Sequence, residues 1–333
     1  MRIATAAAIL FALAAPASAQ QAGVAAYGPR LEGFDYAYPV KIHGFTSQRQ
    51  PLEMAYLDIP ASGQANGQTV MLLHGKNFCA GTWDATIKVL TQAGYRVVAP
   101  DQIGFCKSSK PPGYQFSFQQ LAANTAGLLK ELGIQRVIVV GHSMGGMLAA
   151  RYALMYPGTV ERLVLVDPLG LEDWQAKGVP YATLDAAFQG ELKTSSESIK
   201  AYQQRFYYNG NWKPEYDQWV AMLAGMYAGD GKQAVAWNQA QTSDMVFTQP
   251  VVHEFPNIQV PTTLMIGGKD RTAPGANRAT PELQKTLGLY QQLGREAAKA
   301  IPNARLVEFP ELGHSPQVEA PEEFHKALLQ VLR

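Results

Sequence analysis

From Val139 to Gly146 the chain reads Val-Val-Gly-His-Ser-Met-Gly-Gly, an apolar run that ends in Gly-x-Ser-x-Gly and passes straight into residues spaced as in a helix. A turn from a buried strand directly into a helix holds its central serine in a strained conformation. It also brings strand and helix so close that the flanking positions must be small, a demand that Gly141, Gly145 and Gly146 meet. This one feature constrains the fold more than any other. It requires a strand covered on both faces and a helix that packs back onto the sheet, which is the repeating unit of a parallel α/β architecture.

The rest of the chain supplies matching units. Residues 69–73, 95–99, 136–140 and 163–166 are continuously apolar, as strands buried on both faces are. Apolar residues recur at helical spacing over 83–93, 117–132 and 144–156, giving a βαβα order and a doubly wound, mostly parallel sheet. Residues 40–45 and 52–57 alternate instead and predict an antiparallel hairpin at the start. Strands over 262–266 and 304–309 and a closing helix over 321–332 extend the sheet, and residues 283–300 are expected to be helical.

Between these blocks the character changes. Trp174, Trp212, Trp219 and Trp237, four of the five tryptophans, fall in residues 171–256 together with many tyrosines at helix-like spacing. The expected organisation is therefore a core of residues 20–170 and 257–333 carrying a helical cap over 171–256. Any one of these rings is more readily explained by packing of the cap on the core than by ligand contact.

Composition restricts the partners. With 28 basic and 27 acidic residues, a net charge of +1 and no basic run, nucleic acid is not an expected partner. Residues 1–19 place Arg2 before an apolar run and close on Pro16-Ala17-Ser18-Ala19, the pattern of a bacterial-type secretory signal peptide. Export to the periplasm or the medium is expected. The apolar run is shorter than the roughly 20 residues that span a bilayer, and no later segment is apolar enough, so stable membrane insertion is not expected. The two cysteines, Cys79 and Cys106, each follow a predicted strand on the same edge of the sheet. An oxidising compartment permits a disulfide between them, and two free buried thiols are the other reading. No metal-binding His-Glu-x-x-His and no glycine-rich phosphate loop occurs, so no cofactor is expected. The sequence sets no oligomeric state.

Ser143 is the candidate nucleophile. A hydroxyl needs a base to take its proton and a third group to orient that base. Of six histidines, His43, His74, His142, His253 and His325 fall where structural roles suffice. His314, in Leu312-Gly313-His314-Ser315-Pro316, lies on a short loop after the last strand, from which an imidazole can reach over the sheet edge. Asp270, following the strand over 262–266, is the candidate acid. Asp167, at the end of the strand over 163–166, is the alternative, and Asp101 is expected to cap its own turn. The backbone amides of Lys76 and Met144 are candidate oxyanion donors, with the Lys76 side chain incidental.

Leu73-His74-Gly75, Asp101-Gln102-Ile103-Gly104, the Gly141 to Gly146 turn, Gly268-Lys269-Asp270 and Gly313-His314 together resemble the α/β-hydrolase superfamily over everything from about residue 40 except the cap. The resemblance implies an eight-stranded sheet, a triad of Ser143, Asp270 and His314, no cofactor, and a cap between the sixth and seventh strands that shapes the pocket for a small-molecule substrate. Serine at position 143 departs from the aspartate of epoxide hydrolases and haloalkane dehalogenases, and the lipase-type His-Gly-Gly-Gly loop is absent. Met144 departs from the tryptophan usual in proline iminopeptidases. The expected activity is that of a serine hydrolase on a largely uncharged ester through an acyl-enzyme. Carbon-carbon bond hydrolysis, peptidase or perhydrolase chemistry and a non-catalytic binding role are the alternatives.

Overall fold

The computed structural model describes residues 25–333, so the expected signal peptide over 1–19 lies outside the described residues. Eight strands form one sheet: β1 (Lys41–Ser47), β2 (Gln50–Ile59), β3 (Thr69–Leu73), β4 (Arg96–Pro100), β5 (Val137–His142), β6 (Val160–Val166), β7 (Thr262–Gly267) and β8 (Ala304–Phe309). Their order across the sheet is β1-β2-β4-β3-β5-β6-β7-β8. Only β2 runs against its neighbours, and every pair from β4 to β8 is parallel. The β1–β2 hairpin turns at Gln48 and Arg49, both at positive φ (49° and 64°), the backbone twist that a two-residue hairpin loop needs.

Alternate residues of one strand feed two different apolar layers. Met71, Val98, Val139, Leu165 and Leu264 join the core on one face, and Val70, Leu72, Val97, Val140 and Val164 join the core on the other. Helices α1 (Asp84–Gln92), α2 (Phe118–Glu131) and α3 (Met144–Met155) are the crossovers. Ser117 starts α2 by accepting the Gln120 amide at 3.0 Å, satisfying one of the donors that a helix start leaves free.

Between β6 and β7 the chain leaves the sheet for α4 (Leu184–Glu191), α5 (Ser196–Tyr202), α6 (Asp217–Ala228) and α7 (Lys232–Thr248). The segment leading into the sheet crosses this insertion. The Tyr27 amide donates to the Gly225 carbonyl at 2.8 Å, and a side chain at Gly225 would strike the Tyr27 ring.

After β7 come α8 (Pro281–Gln284), α9 (Tyr290–Ala300), α10 (Pro316–Glu319) and α11 (Pro321–Leu332). The single helix expected over 283–300 is interrupted. Gly288 takes φ +64° against the backbone of Arg271 and Thr272, and its amide donates to the buried Glu172 at 2.8 Å, so the helix begins only at Tyr290. Cys79 and Cys106 are joined in a disulfide with a Cα separation of 5.8 Å. Among the described residues no helix is long and apolar enough to cross a membrane.

Candidate active site

Ser143 sits between β5 and α3 at φ 57°, ψ −122°, the strained corner that the sequence demanded. A Cβ on Gly141 would meet the Gly145 carbonyl, one on Gly145 the Leu73 carbonyl, and one on Gly146 the Pro168 ring. Strand and helix therefore approach to the limit that glycine allows. The Ser143 amide donates to the Val166 carbonyl at 3.1 Å, and its own carbonyl accepts from the Leu169 amide at 3.0 Å. With its backbone satisfied and its side chain making no helix cap, the hydroxyl is left for another partner.

That partner is His314. Ser143 Oγ lies 2.8 Å from His314 Nε2, and His314 Nδ1 lies 2.6 Å from Asp270 Oδ2. Donation of Nδ1–H to the carboxylate leaves Nε2 as the acceptor of the serine proton, which fixes the tautomer. Asp270 takes a second hydrogen bond, from the Thr272 amide to Oδ1 at 2.7 Å. His314 and Asp270 are fully buried and Ser143 is 2% exposed. The imidazole is clamped through its own backbone. His142 Nε2–H donates to the His314 carbonyl at 2.7 Å, the His314 amide donates to the Phe206 carbonyl at 3.2 Å, and the Gly313 amide donates to Glu319 at 2.6 Å. Burial and the neighbouring His314 hold His142 well below the usual histidine range, so it stays neutral in this role.

The structure brings together Ser143, His314 and Asp270, and it places Asp167 one step away. Asp167 follows β6 at φ 38°, fully buried, with Oδ1 accepting the Gly267 amide at 2.8 Å. Its carboxyl faces Asp270 rather than the imidazole. Burial and the adjacent Asp270 carboxylate push Asp167 well above the usual carboxylate range, which favours its neutral form. Asp101 caps its own turn through Lys107 N (3.1 Å) and also holds Ala80 N (2.7 Å) and the Tyr36 hydroxyl (2.8 Å). His74 is fully buried, donates Nδ1–H to the Gly75 carbonyl and accepts the Gln102 amide at 3.0 Å, which ties the loop after β3 to the loop after β4.

That loop touches the nucleophile. A Cβ on Gly75 would lie 2.9 Å from His142 Nδ1 and 3.0 Å from Ser143 Cβ, so a larger residue there would have to push the Ser143 corner aside. Neither the Lys76 nor the Met144 amide donates to a protein group among the described residues. Both remain available beside the serine, and Met144 adds the positive end of α3.

The model of the alpha/beta hydrolase family matches residues 70–327. The chain belongs to that family. A probable hydrolytic enzyme from Pseudomonas aeruginosa PAO1, solved as a crystal structure, is 62% identical to it with a TM-score of 0.92, over 93% of this chain and 99% of the other. A non-heme haloperoxidase of Rhodococcus erythropolis is 27% identical over 75% of this chain and 86% of its own length. Lipase 1 of Psychrobacter immobilis is 27% identical over 79% and 76%.

In this α/β hydrolase the insertion roofs a cavity of about 390 Å³ that reaches Ser143. Its lining includes residues for which the sequence carried no signal. Tyr207, from the segment after α5, packs its ring 5.0 Å from the His314 imidazole and accepts a hydrogen bond from Asn77 at 2.9 Å. Lys76, whose side chain was expected to be incidental, crosses the cavity to Glu191 (3.2 Å) and Gln239 (2.8 Å) of the insertion. One group of residues could be considered for a metal among those described: Cys79, Cys106 and Asp101. It does not fit, because the sulfurs are in a disulfide and both Asp101 oxygens already accept hydrogen bonds.

Proposed function

We propose that this α/β hydrolase is a serine esterase that works through an acyl-enzyme. The observation that carries the reading is the unbroken relay from Ser143 through His314 to Asp270, at 2.8 and 2.6 Å, opening on the cavity under the insertion. Ser143 Oγ attacks the ester carbonyl while His314 Nε2 takes its proton. The imidazolium is stabilised by Asp270 and then protonates the departing alkoxide. In the second half His314 draws a proton from water, which attacks the acyl carbon and returns Ser143. The amides of Lys76 and Met144 receive the oxyanion, a contribution of about 2.7–4 kcal/mol for each donor of this kind. The likeness to a lipase over most of both chains supports ester chemistry.

A second reading rests on the same groups. The likeness to a haloperoxidase supports peroxide taking the place of water at the second step. A fluorophosphonate probe with mass spectrometry, beside turnover of short activated esters with and without peroxide, tests both. Labelling at Ser143 is expected, with activity falling by about 10⁴- to 10⁶-fold in Ser143→Ala. Peracid formation that outpaces ester hydrolysis would favour the second reading. A wild-type protein that neither labels nor turns over an ester would remove the first.

A further inference from the structure

Two cations line the cavity above Ser143, and they are treated differently. Lys76 is neutralised in place: Glu191 pairs with it, and Tyr227 donates its hydroxyl to the other Glu191 oxygen at 2.6 Å. Arg278 has no such partner. It closes a short turn (Ala276–Arg278) on the long connection from β7 to α8. Its guanidinium lies over the Phe247 ring of α7 at 5.0 Å, and its Nε donates to the Pro180 carbonyl at 2.8 Å. Gly275, at φ +80°, leaves the space beside Nη1 and Nη2 that any Cβ would fill.

The group is therefore held in place by a ring, a carbonyl and a glycine, none of which carries charge. Among the described residues no Asp or Glu forms an ion pair with it, and its two Nη nitrogens have no protein acceptor. Burial draws its basicity down, with no compensating acid nearby. The charged side chains of the cavity lining are Lys76, Arg278 and Glu191, an excess of one positive charge. The remainder is neutral and mixed: Leu169, Ile199, Leu223 and Val246 supply apolar surface beside serine, threonine, amide and tyrosine side chains.

We propose that Arg278 determines specificity by receiving a carboxylate on the substrate, at the end of an apolar chain and away from the ester bond that Ser143 attacks. A guanidinium that presents two free N–H groups in one plane matches a carboxylate in bidentate fashion. The Phe247 ring and the Nε bond to the Pro180 carbonyl hold the group before the substrate arrives, so little side-chain freedom is lost on binding. The substrate class is then the half-ester of a dicarboxylic acid, or an ester whose acyl chain ends in a carboxylate. This departs from the uncharged ester expected from a near-neutral composition, because the charge balance of a whole chain does not describe the lining of one cavity. The inference rests on the esterase reading of the same cavity.

The test compares p-nitrophenyl hydrogen adipate with p-nitrophenyl hexanoate, which match in chain length and differ in the terminal carboxylate. The quantity read is the ratio of the two kcat/KM values in wild type, Arg278→Gln and Arg278→Lys. A preference for the adipate ester is expected in wild type, falling roughly 10- to 100-fold in Arg278→Gln, chiefly through KM, and partly restored by lysine. An unchanged ratio in Arg278→Gln, or a wild type that favours the hexanoate, overturns the proposal. Melting temperatures of the variants separate loss of fold from loss of recognition. Hydrolysis of the hexanoate by wild type and not by Ser143→Ala reports on the esterase reading by itself. If neither ester is turned over, calorimetric titration of adipate into wild type and Arg278→Gln still decides the anchor: equal binding by the two, or none by wild type, overturns it.

Discussion

The two walls of the cavity are built by different means. At the sheet edge, position is set by backbone: Gly141, Gly145 and Gly146 let β5 and α3 approach until no Cβ would fit, and Gly75 does the same where the loop after β3 passes Ser143. In the insertion, position is set by side chains reaching back to the core, as Tyr207 does to Asn77 and Glu191 to Lys76. Backbone contacts of the first kind admit one residue type, and they place the reacting atoms. Tethers of the second kind can be remade with other side chains, and they shape what the reacting atoms meet. Substitutions at the sheet edge should therefore act on the chemical step, and substitutions in the insertion on how substrate is held.

The largest effect should come from Asp270→Asn. The amide keeps the size of the side chain but cannot stabilise an imidazolium, and it favours the tautomer with the proton on Nε2, where the serine proton must go. A fall in kcat of about 10⁴-fold is expected, the loss found when the acid of such a triad is replaced by its amide. Steady-state kinetics on an activated ester measures it. A loss of only a few-fold would mean that Asp167 takes over as the acid and that the sheet edge is less exacting than its packing implies.

The same contrast explains what was legible in the sequence. The β5–Ser143–α3 corner could be read because each glycine in it answers a steric demand that no other residue meets. The strands of the parallel region could be read because burial on both faces leaves a continuous apolar run. Asp270 and Asp167 could not be separated by such arguments, since each follows a buried strand. What separates them is the local turn: Asp167, at φ 38°, commits one oxygen to the Gly267 amide, while Asp270 is oriented by the Thr272 amide toward His314. The break before α9 was missed because a glycine inside a helical pattern signals a left-handed residue only when something packs against it, and here Arg271 and Thr272 do. Tyr207, Glu191 and Arg278 left no trace at all. Each acts through a tertiary contact with a residue far away in the chain; aromatic and charged residues such as Tyr207 and Glu191 are what any insertion of this kind contains, and Arg278 lies in a long connection after β7 with no motif around it.

A smaller effect is expected from Tyr207→Phe, which removes the hydroxyl that accepts from Asn77 and keeps the ring over His314. One hydrogen bond of this kind contributes about 0.5–1.5 kcal/mol, which corresponds to a several-fold loss in kcat/KM. Its expression in KM rather than kcat would fit a wall that holds substrate. A loss approaching that of Asp270→Asn would break the distinction between the two walls.

Asp167→Asn should have the smallest effect on turnover, although Asp167 is fully buried at the sheet edge, where substitutions are expected to matter most. The reason is electrostatic. Burial and the Asp270 charge raise the pKa of Asp167 and so favour the neutral acid, and an amide of the same shape is neutral too. The oxygen of the new amide can still accept from the Gly267 amide, and its NH₂ adds no charge beside Asp270. Stability should then report what activity does not. A carboxyl whose folded pKa lies above its unfolded value binds more protons when folded, so its contribution to stability is fully present below about pH 4 and is lost as pH rises toward the folded value. The substituted side chain has no proton to retain, so the melting temperature of the variant should gain on wild type as pH rises from about 4 to about 7 and show no gain at the acid end. If Asp167 were instead an ionised carboxylate that supports His314, kcat would fall with the substitution and the gain in stability would not depend on pH in this direction.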